Sequence, residues 1–171
     1  MSHSQPSQGK SDQAQQNALI AFRELKARVE LNEDGEAISL DLLDSPILDA
    51  HLEHLTVLTK LERLYLSGLT RITDEGPHNL RCLTNLKELD ISGSASNPDR
   101  RNITDAGLEN LKGLTNLEKP NLDRTQITDN GLGHLTGITE LNQLSLRDTA
   151  VTLVGIHSLQ QVLPNCKILK N

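Results

Sequence analysis

The sequence has almost no aromatic residues. Phe22 and Tyr65 are its only phenylalanine and tyrosine among 171 residues, and it has no tryptophan. Any hydrophobic core must therefore be built from aliphatic side chains, chiefly leucine. The same shortage disfavours a groove that binds nucleic acid by stacking bases on aromatic rings.

Clustered positive charge and long apolar runs are also missing. With 17 Lys and Arg against 23 Asp and Glu, the formal net charge is −6, which opposes binding to DNA or RNA through counterion release. No run reaches the roughly 18 apolar residues of a membrane span, and residues 1–16 lack the apolar stretch of a signal peptide. We expect a cytoplasmic protein that binds neither nucleic acid nor membrane.

The residue types that a chemical site needs are few. Cys82 and Cys166 lie far apart in the chain and are interpreted as small buried hydrophobic residues, not as a zinc or disulfide pair. His51 and His54, near Glu53, could form one side of a metal site, but a third ligand is missing and a solvated helix surface is the simpler interpretation. Since no phosphate-binding loop or activated nucleophile is recognisable either, the sequence predicts no catalytic residue, metal or cofactor.

The first 36 residues differ in composition from the rest. Residues 1–16 are rich in Ser, Gln and Gly and have little to bury, so we expect a disordered tail. In 17–36, Ala18, Phe22 and Leu25 recur at helical spacing, and an Asp-Gly step then marks a hairpin turn. A helix followed by a hairpin is a plausible cap for one end of the fold.

The remaining chain is self-similar. The pattern L-x-x-L-x-L, or a degenerate copy of it, starts at residues 37, 61, 86, 117 and 141, with a truncated start at Cys166 followed by Leu169. A second block, Ile-Thr-Asp-x-Gly, follows the strand pattern in phase, and its Thr and Asp are typical of a helix N-terminus. Each repeat is thus predicted to be one strand and one short helix, in five units that cover 37–60, 61–85, 86–116, 117–140 and 141–165, before a strand end at 166–171.

These motifs resemble those of the leucine-rich-repeat superfamily, specifically the ribonuclease-inhibitor-like, F-box-associated subtype found in planctomycete bacteria. The signature is complete at Ile72, Ile103 and Ile127 and weakens in the first and fifth repeats, at Ile47 and Val151. The resemblance implies an α/β fold, a short right-handed horseshoe arc with a parallel sheet on the concave side and helices on the convex side. It further implies that the concave face binds a protein, and it implies no chemistry.

Alternation along the strands identifies the residues that a partner of this face would contact. If the leucines face the core, the residues between them face outward. Arg63 and Tyr65 are the expected anchors, because Arg and Tyr are enriched among the residues that dominate interface energies. An ordinary solvated sheet face is the alternative interpretation. The outward residues are Arg63, Tyr65, Ser67, Glu88, Asp90, Ser92, Lys119, Asn121, Asp123, Gln143, Ser145 and Arg147.

The third repeat is longer than the others because residues 94–101 are inserted between its strand and its helix. Polar loops beside a binding face often carry recognition, so Asp99, Arg100 and Arg101 are further candidates for contact with a partner. A tolerated insertion is the alternative, since a longer surface loop costs little additional entropy.

Pro120 stands where the pattern requires a core leucine such as Leu89 or Leu144. Proline lacks the backbone N–H that a central strand uses for pairing, so we expect the repeat 117–140 to be the weakest. Pro77 lies near a predicted first helical turn, where a missing N–H costs little.

The sequence favours a protein-interaction module over two alternatives. A hydrolase or transferase with an unrecognised surface site is the first, and a structural or vestigial repeat fragment without a ligand is the second. A repeated surface without a recognisable reaction centre favours a non-enzymatic function. The partner and the oligomeric state stay open.

Overall fold

The computed structural model describes residues 6–43, 45–68, 71–95 and 103–171, and the side chains from residue 11 onward within them. The loop candidates Asp99, Arg100 and Arg101 lie outside the described residues. Helix α1, Pro6–Glu24, comes first. It starts earlier than the sequence suggested, and Gln15 links it to the following hairpin by donating from Nε2 to the carbonyl oxygen of Gly35 at 3.2 Å.

Within the described residues, the strands form one seven-stranded sheet whose spatial order is that of the sequence. The first two strands form an antiparallel hairpin, and every later strand adds in parallel to the one before it. The strands are β1 Arg28–Leu31, β2 Ala37–Asp41, β3 Arg63–Tyr65, β4 Glu88–Asp90, β5 Lys119–Asn121, β6 Gln143–Ser145 and β7 Lys167–Leu169.

Short helical segments connect the parallel strands on the other side of the core. The first two are 3₁₀ helices, Asp49–Val57 and Gly76–Leu80. The next two begin as α-helix and tighten to 3₁₀ geometry: α2 Asp105–Leu108 with Glu109–Leu111, and α3 Asp129–Leu132 with Gly133–Leu135. The last connection is α4, Leu153–Val162, which is α-helical throughout.

Leucine fills the space between the sheet and the helical segments. Leu40, Leu64, Leu89 and Leu144 lie at equivalent positions of β2, β3, β4 and β6 and are at most 1% exposed. Burying one such side chain is worth about 1.5–3 kcal/mol, so each repeat depends on its neighbours to cover its leucines. At the N-terminal end, α1 supplies this cover through fully buried Phe22 and its neighbours.

The Ile-Thr-Asp-x-Gly motif joins consecutive repeats on the helical side. Thr128 donates from its backbone N and from Oγ1 to the two carboxylate oxygens of Asp105, at 2.8 and 2.6 Å. The same pair of bonds recurs at three other boundaries. We call the four acceptors the carboxylate ladder: Asp49 with Thr73, Asp74 with Thr104, Asp105 with Thr128, and Asp129 with Thr152.

The threonine and the glycine of the motif have separate tasks. Thr128 is the N-cap of α3, and its Oγ1 accepts from the backbone N of Asn130 at 3.3 Å. Glycine is required because the preceding carboxylate fills the adjacent space: a Cβ on Gly131 would lie 3.0 Å from Cγ of Asp105 and closer still to its Oδ1. The aspartate thus binds the threonine of the next repeat. Its position at the start of a helix does not by itself predict this contact.

Strand β7 lies one residue out of the predicted phase. The truncated start at Cys166 aligned Leu169 with Leu144, but the structure pairs Leu144 with Ile168 and places Leu169 opposite Ser145. Since side chains alternate between the two faces, this shift moves Leu169 from the core column to the outward column. The step from Leu144 to Ile168 is therefore 24 residues, the same as the step from Leu40 to Leu64.

Pro120 is buried in β5, opposite Leu89. Hydrogen bonds to β6 flank it, from Gln143 N to the Glu118 carbonyl at 3.1 Å and from Leu122 N to the Ser145 carbonyl at 2.9 Å. Between them Pro120 has no N–H to donate. The β5–β6 pairing accordingly has a single register pair, whereas the other parallel pairings have three each.

Candidate functional site

The candidate site is the face of the sheet that is turned away from the helical segments, which we call the open face. Register aligns its side chains in columns that run across the strands. One column contains Arg63, Glu88 and Lys119, and the next contains Tyr65 and Asp90. The columns bring side chains from separate repeats within hydrogen-bonding distance of one another.

Glu88 is the centre of a three-residue network on this face. It accepts from Tyr65 Oη at 2.8 Å and from Lys119 Nζ at 3.0 Å. These two bonds lower the pKa of Glu88, and its carboxylate raises the pKa of Lys119. Burial and the bond to Glu88 raise the pKa of Tyr65 to about 12. Tyr65 is therefore a fixed hydrogen-bond donor to Glu88, with its ring half-buried.

Arg63 is held by the N-terminal hairpin. Its Nη2 lies 2.7 Å from Oε2 of Glu30 on β1. Glu30 is not among the residues predicted for this face, although the alternation of Val29, Glu30 and Leu31 is typical of a strand that presents it outward. The hairpin thus contributes to the open face as well as covering the end of the core.

The neighbouring column is also bonded across strands. Asn121 donates from Nδ2 to Oδ2 of Asp90 at 3.0 Å. Beyond it, Asp123 accepts from Ser145 Oγ at 2.6 Å and from the backbone N of Arg147 at 2.7 Å. These bonds reduce the freedom of the side chains before any partner arrives.

Three of the predicted contact residues are buried. Ser92, Asp123 and Ser145 are 3%, 5% and 5% exposed, so their expected exposure was wrong. All three side chains are short, and at Asp123 the guanidinium of Arg147 lies 3.6 Å from the carboxylate. The exposed or half-buried residues of the predicted set are Arg63, Tyr65, Ser67, Glu88, Asp90, Lys119, Asn121, Gln143 and Arg147.

Charge on the open face is balanced. The predicted set contains three cations, Arg63, Lys119 and Arg147, and three carboxylates. Each of these cations pairs with a carboxylate on another strand or loop, although the chain as a whole carries −6. The face therefore presents alternating donors and acceptors without a strong field of one sign.

The two histidines that were considered as metal ligands have other contacts. Nδ1 of His51 accepts from the backbone N of Leu48 at 2.9 Å. The ring of His54 packs edge-on against Phe22, with centroids 5.9 Å apart. In the described part of the chain, no group of three or more His, Cys, Asp or Glu side chains is placed to hold a metal ion.

Cys82 and Cys166 are free thiols that form no disulfide bond, and they differ in burial. Cys166 is buried as expected, whereas Cys82 is only half-buried and its Sγ contacts the carbonyl oxygen of Asn79 at 3.4 Å. Burial raises the pKa of both thiols, which disfavours the reactive thiolate.

None of the helices in the described residues has the length and apolar character to cross a membrane.

Solved structures of leucine-rich-repeat proteins are similar to this fold. An internalin from Listeria monocytogenes aligns with a TM-score of 0.54 at 19% identity, over 90% of this chain and 50% of that one. An internalin C2 from the same organism aligns over 92% of both chains at 18% identity, with a TM-score of 0.40. A leucine-rich-repeat protein of Leptospira interrogans aligns over 68% of this chain and 33% of its own, at 19% identity and a TM-score of 0.43.

The likeness to the first internalin shows the fold, a leucine-rich-repeat α/β solenoid whose open face is the concave one and whose helices lie on the convex side. This chain spans about half the length of that internalin. No protein-family model matches the chain. No curated protein matches its sequence either.

Proposed function

We propose that the chain is a protein-interaction module and that a protein partner binds across its open face. The observation that carries this proposal is the set of cross-strand hydrogen bonds that holds Tyr65, Glu88 and Lys119 in place. Side chains that are ordered before binding lose less conformational entropy when a partner docks. Among the described residues, hydroxyls that contact a carboxylate are either buried, as Ser145 on Asp123 is, or bond one repeat to the next, as the threonines of the carboxylate ladder do. An interaction function therefore needs fewer assumptions than an enzymatic one.

Arg63 and Tyr65 are the proposed centre of the contact. They lie on one strand, two residues apart, and each is anchored at its polar end by a carboxylate, Glu30 or Glu88. The apolar parts of both side chains stay available, which is the combination that supports residues of high interface energy. Gln143 and Arg147 extend the same face toward the C-terminal repeats.

We further infer that the chain belongs with the ribonuclease-inhibitor-like subtype of these repeats. Support comes from the Ile-Thr-Asp-x-Gly motif, whose threonine and aspartate make the same two bonds at each of four boundaries. The inserted loop, 94–101, remains a second proposed contact through Asp99, Arg100 and Arg101.

Affinity capture from an extract of the source cell, with quantitative mass spectrometry, tests the proposal. Wild type is compared with an Arg63→Ala/Tyr65→Ala variant of the open face. The matched control, His78→Ala/Arg81→Ala, changes two exposed residues of the helical side in the same repeat. Proteins that wild type and control retain but the open-face variant loses are the expected partners.

Binding of a purified candidate to the three proteins then gives the affinity directly. Loss of two central anchors should weaken binding by roughly 2 kcal/mol or more, which is about thirtyfold. Equal retention by both double variants would contradict the proposal. A variant without residues 95–101 separates loop contacts from those of the open face, and turnover of generic ester, phosphate or glycoside substrates would favour the enzymatic alternative.

A further inference from the structure

A groove lies on the helical side of the molecule, between the fourth and fifth repeats. Its volume is about 370 Å³. One wall comes from α3 and the 3₁₀ segment that extends it, and includes Leu132 and Thr136. The other wall is α4, whose residues Val154, Ser158 and Val162 follow one another at intervals of one helical turn. We call this feature the α3–α4 groove.

The α4 wall of the groove is apolar and exposed. Val154 is 74% exposed and Val162 54%, and neighbouring exposed apolar residues mark an interaction surface. Leu153 stands where the fourth repeat has Asp129, and Val154 stands where it has Asn130. Asn130 is exposed although a repeat follows it. The exposure of Val154 therefore belongs to its position in the repeat, and the unusual feature is its apolar side chain.

The opposite wall lacks the charged side chains that earlier repeats carry. Glu109 and Lys112 of the third repeat form an ion pair at 3.3 Å, and Gly133 and Thr136 replace them in the fourth. In the second repeat the position of Thr136 is occupied by Arg81. A Cβ on Gly133 would meet no atom within 4 Å. The substitutions thus leave the groove open, and the residues that line it include no cation.

Asp129 supplies the one charge of the described lining. The hydroxyls of Thr136 and Ser158 each donate to a backbone carbonyl of their own helical segment, at 3.0 Å. Each carboxylate oxygen of Asp129 accepts one bond from Thr152, at 2.7 Å. Because a carboxylate can accept about four hydrogen bonds, Asp129 retains capacity for a further donor. The groove therefore combines apolar walls with a single anionic acceptor.

We propose that the α3–α4 groove is a second docking site, which binds a basic amphipathic helix of a partner protein. Aliphatic side chains one turn apart on that helix pack between Val154 and Val162, and a lysine or arginine on the same face reaches Asp129. The stem of such a cation covers apolar surface while its charged end stays at the carboxylate. An amphipathic helix in an apolar groove is a common mode of peptide recognition.

Charge favours this occupant over a second copy of the chain. A second copy offers apolar side chains of its own, since Ile20 is 53% exposed and Leu31 41%. Each copy nevertheless carries a net charge of −6, so two copies repel one another, whereas a basic helix is attracted. The preceding carboxylate of the ladder, Asp105, lies on the same side of the molecule and adds to this attraction.

Fluorescence anisotropy with labelled synthetic helices tests the proposal on the full chain. The first probe is alanine-based and carries two leucines one turn apart, with a lysine on the next turn of the same face. The second probe has glutamate in place of the lysine. Wild type should bind the lysine probe saturably and the glutamate probe more weakly, by roughly tenfold or more.

Gly133→Glu/Thr136→Lys is the variant that closes the groove. It restores the ion-paired residues of the third repeat and leaves the net charge unchanged. It should therefore fold, with an unchanged circular dichroism spectrum, and weaken binding of the lysine probe by roughly tenfold or more. Glu62→Gln/Lys87→Gln is the matched control, because it removes an exposed ion pair of the second and third repeats, 3.2 Å long, and also leaves the net charge unchanged. It should bind the probe as wild type does.

Several outcomes overturn the proposal. They are a wild type that shows no saturable binding, equal affinity for the two probes, and a groove-closing variant that binds as well as wild type or no worse than the control. Sedimentation equilibrium of the chain alone gives the remaining outcome. A mass that rises with concentration in wild type, but not in Gly133→Glu/Thr136→Lys, would show that a second copy occupies the groove instead.

Discussion

Gly131→Ala should destabilise the protein even though alanine is the better helix former. The added Cβ overlaps the carboxylate of Asp105, which must move away. Movement weakens the two bonds that Asp105 accepts from Thr128, at 2.8 and 2.6 Å. Hydrogen bonds to a charged group contribute about 1.5–3 kcal/mol each, with the lower value appropriate to the half-exposed Asp105. The higher helix propensity of alanine offsets about 1 kcal/mol of this cost. The free energy of unfolding should therefore fall by about 2 kcal/mol.

Gly133 provides the matched control two residues later. A Cβ there meets no atom within 4 Å, and the backbone is helical with φ −58°. Gly133→Ala should therefore stabilise the protein by about 0.5–1 kcal/mol. The same substitution, two positions apart, is expected to change the free energy of unfolding in opposite directions.

Urea denaturation followed by circular dichroism measures both changes. The pair should be compared in wild type and in an Asp105→Ala background, where no carboxylate remains to be displaced. There the cost of Gly131→Ala should largely vanish. If both alanine variants shift the midpoint in the same direction, or if the Gly131→Ala penalty persists without Asp105, the carboxylate ladder does not explain the glycine.

Three further predictions concern single contacts. Pro120→Leu should raise the melting temperature by a few degrees, because it restores a backbone donor toward β6 and about 1 kcal/mol shifts a chain of this length by about 2–4 °C; no rise in calorimetry would mean that β5 cannot use the donor. Bonds from Thr152 lower the pKa of Asp129, so its stabilising contribution is complete above the ordinary carboxyl pKa and is lost as pH falls through the lowered value. Asp129→Asn should hence be less stable than wild type at neutral pH, with the difference in melting temperature shrinking in acid, and a constant difference would refute this. Tyr65→Phe should raise the pKa of Glu88 in an NMR titration, since the Tyr65 hydroxyl helps to lower it, and an unchanged titration would show that Lys119 alone holds the carboxylate.

The repeat phase could be predicted because leucine spacing depends on burial, which recurs in every unit. Strands β2 to β6 pair in the register that the pattern gave, including the 31-residue step to Pro120. The last strand could not be predicted in the same way. At β7 two adjacent apolar residues, Ile168 and Leu169, satisfy the pattern equally, and only backbone pairing with β6 decides between them.

The composition of the open face followed from alternation, but its exposure did not. Alternation assigns a side chain to one face and says nothing about the neighbours that cover it. Asp123 and Ser145 belong to the outward columns and are nevertheless buried: Ser145 Oγ donates to the carboxylate of Asp123, and the guanidinium of Arg147 lies 3.6 Å from the same carboxylate. Alternation could place Glu30 on a face of β1, but its bond to Arg63 depends on the order of β1, β2 and β3 in the sheet, which the pattern does not give.

The carboxylate ladder has a consequence for how such a chain can lengthen. Each internal repeat carries one acceptor, used by the unit after it, and one pair of donors, used by the unit before it. A duplicated copy of the unit 117–140 would therefore find a matching partner at both of its new boundaries. A copy of the last unit would not, because Leu153 has no acceptor to offer. Tandem duplication would thus preserve every bond of the carboxylate ladder in the middle of this solenoid, and duplication of the unit 141–165 would leave one new boundary without its pair.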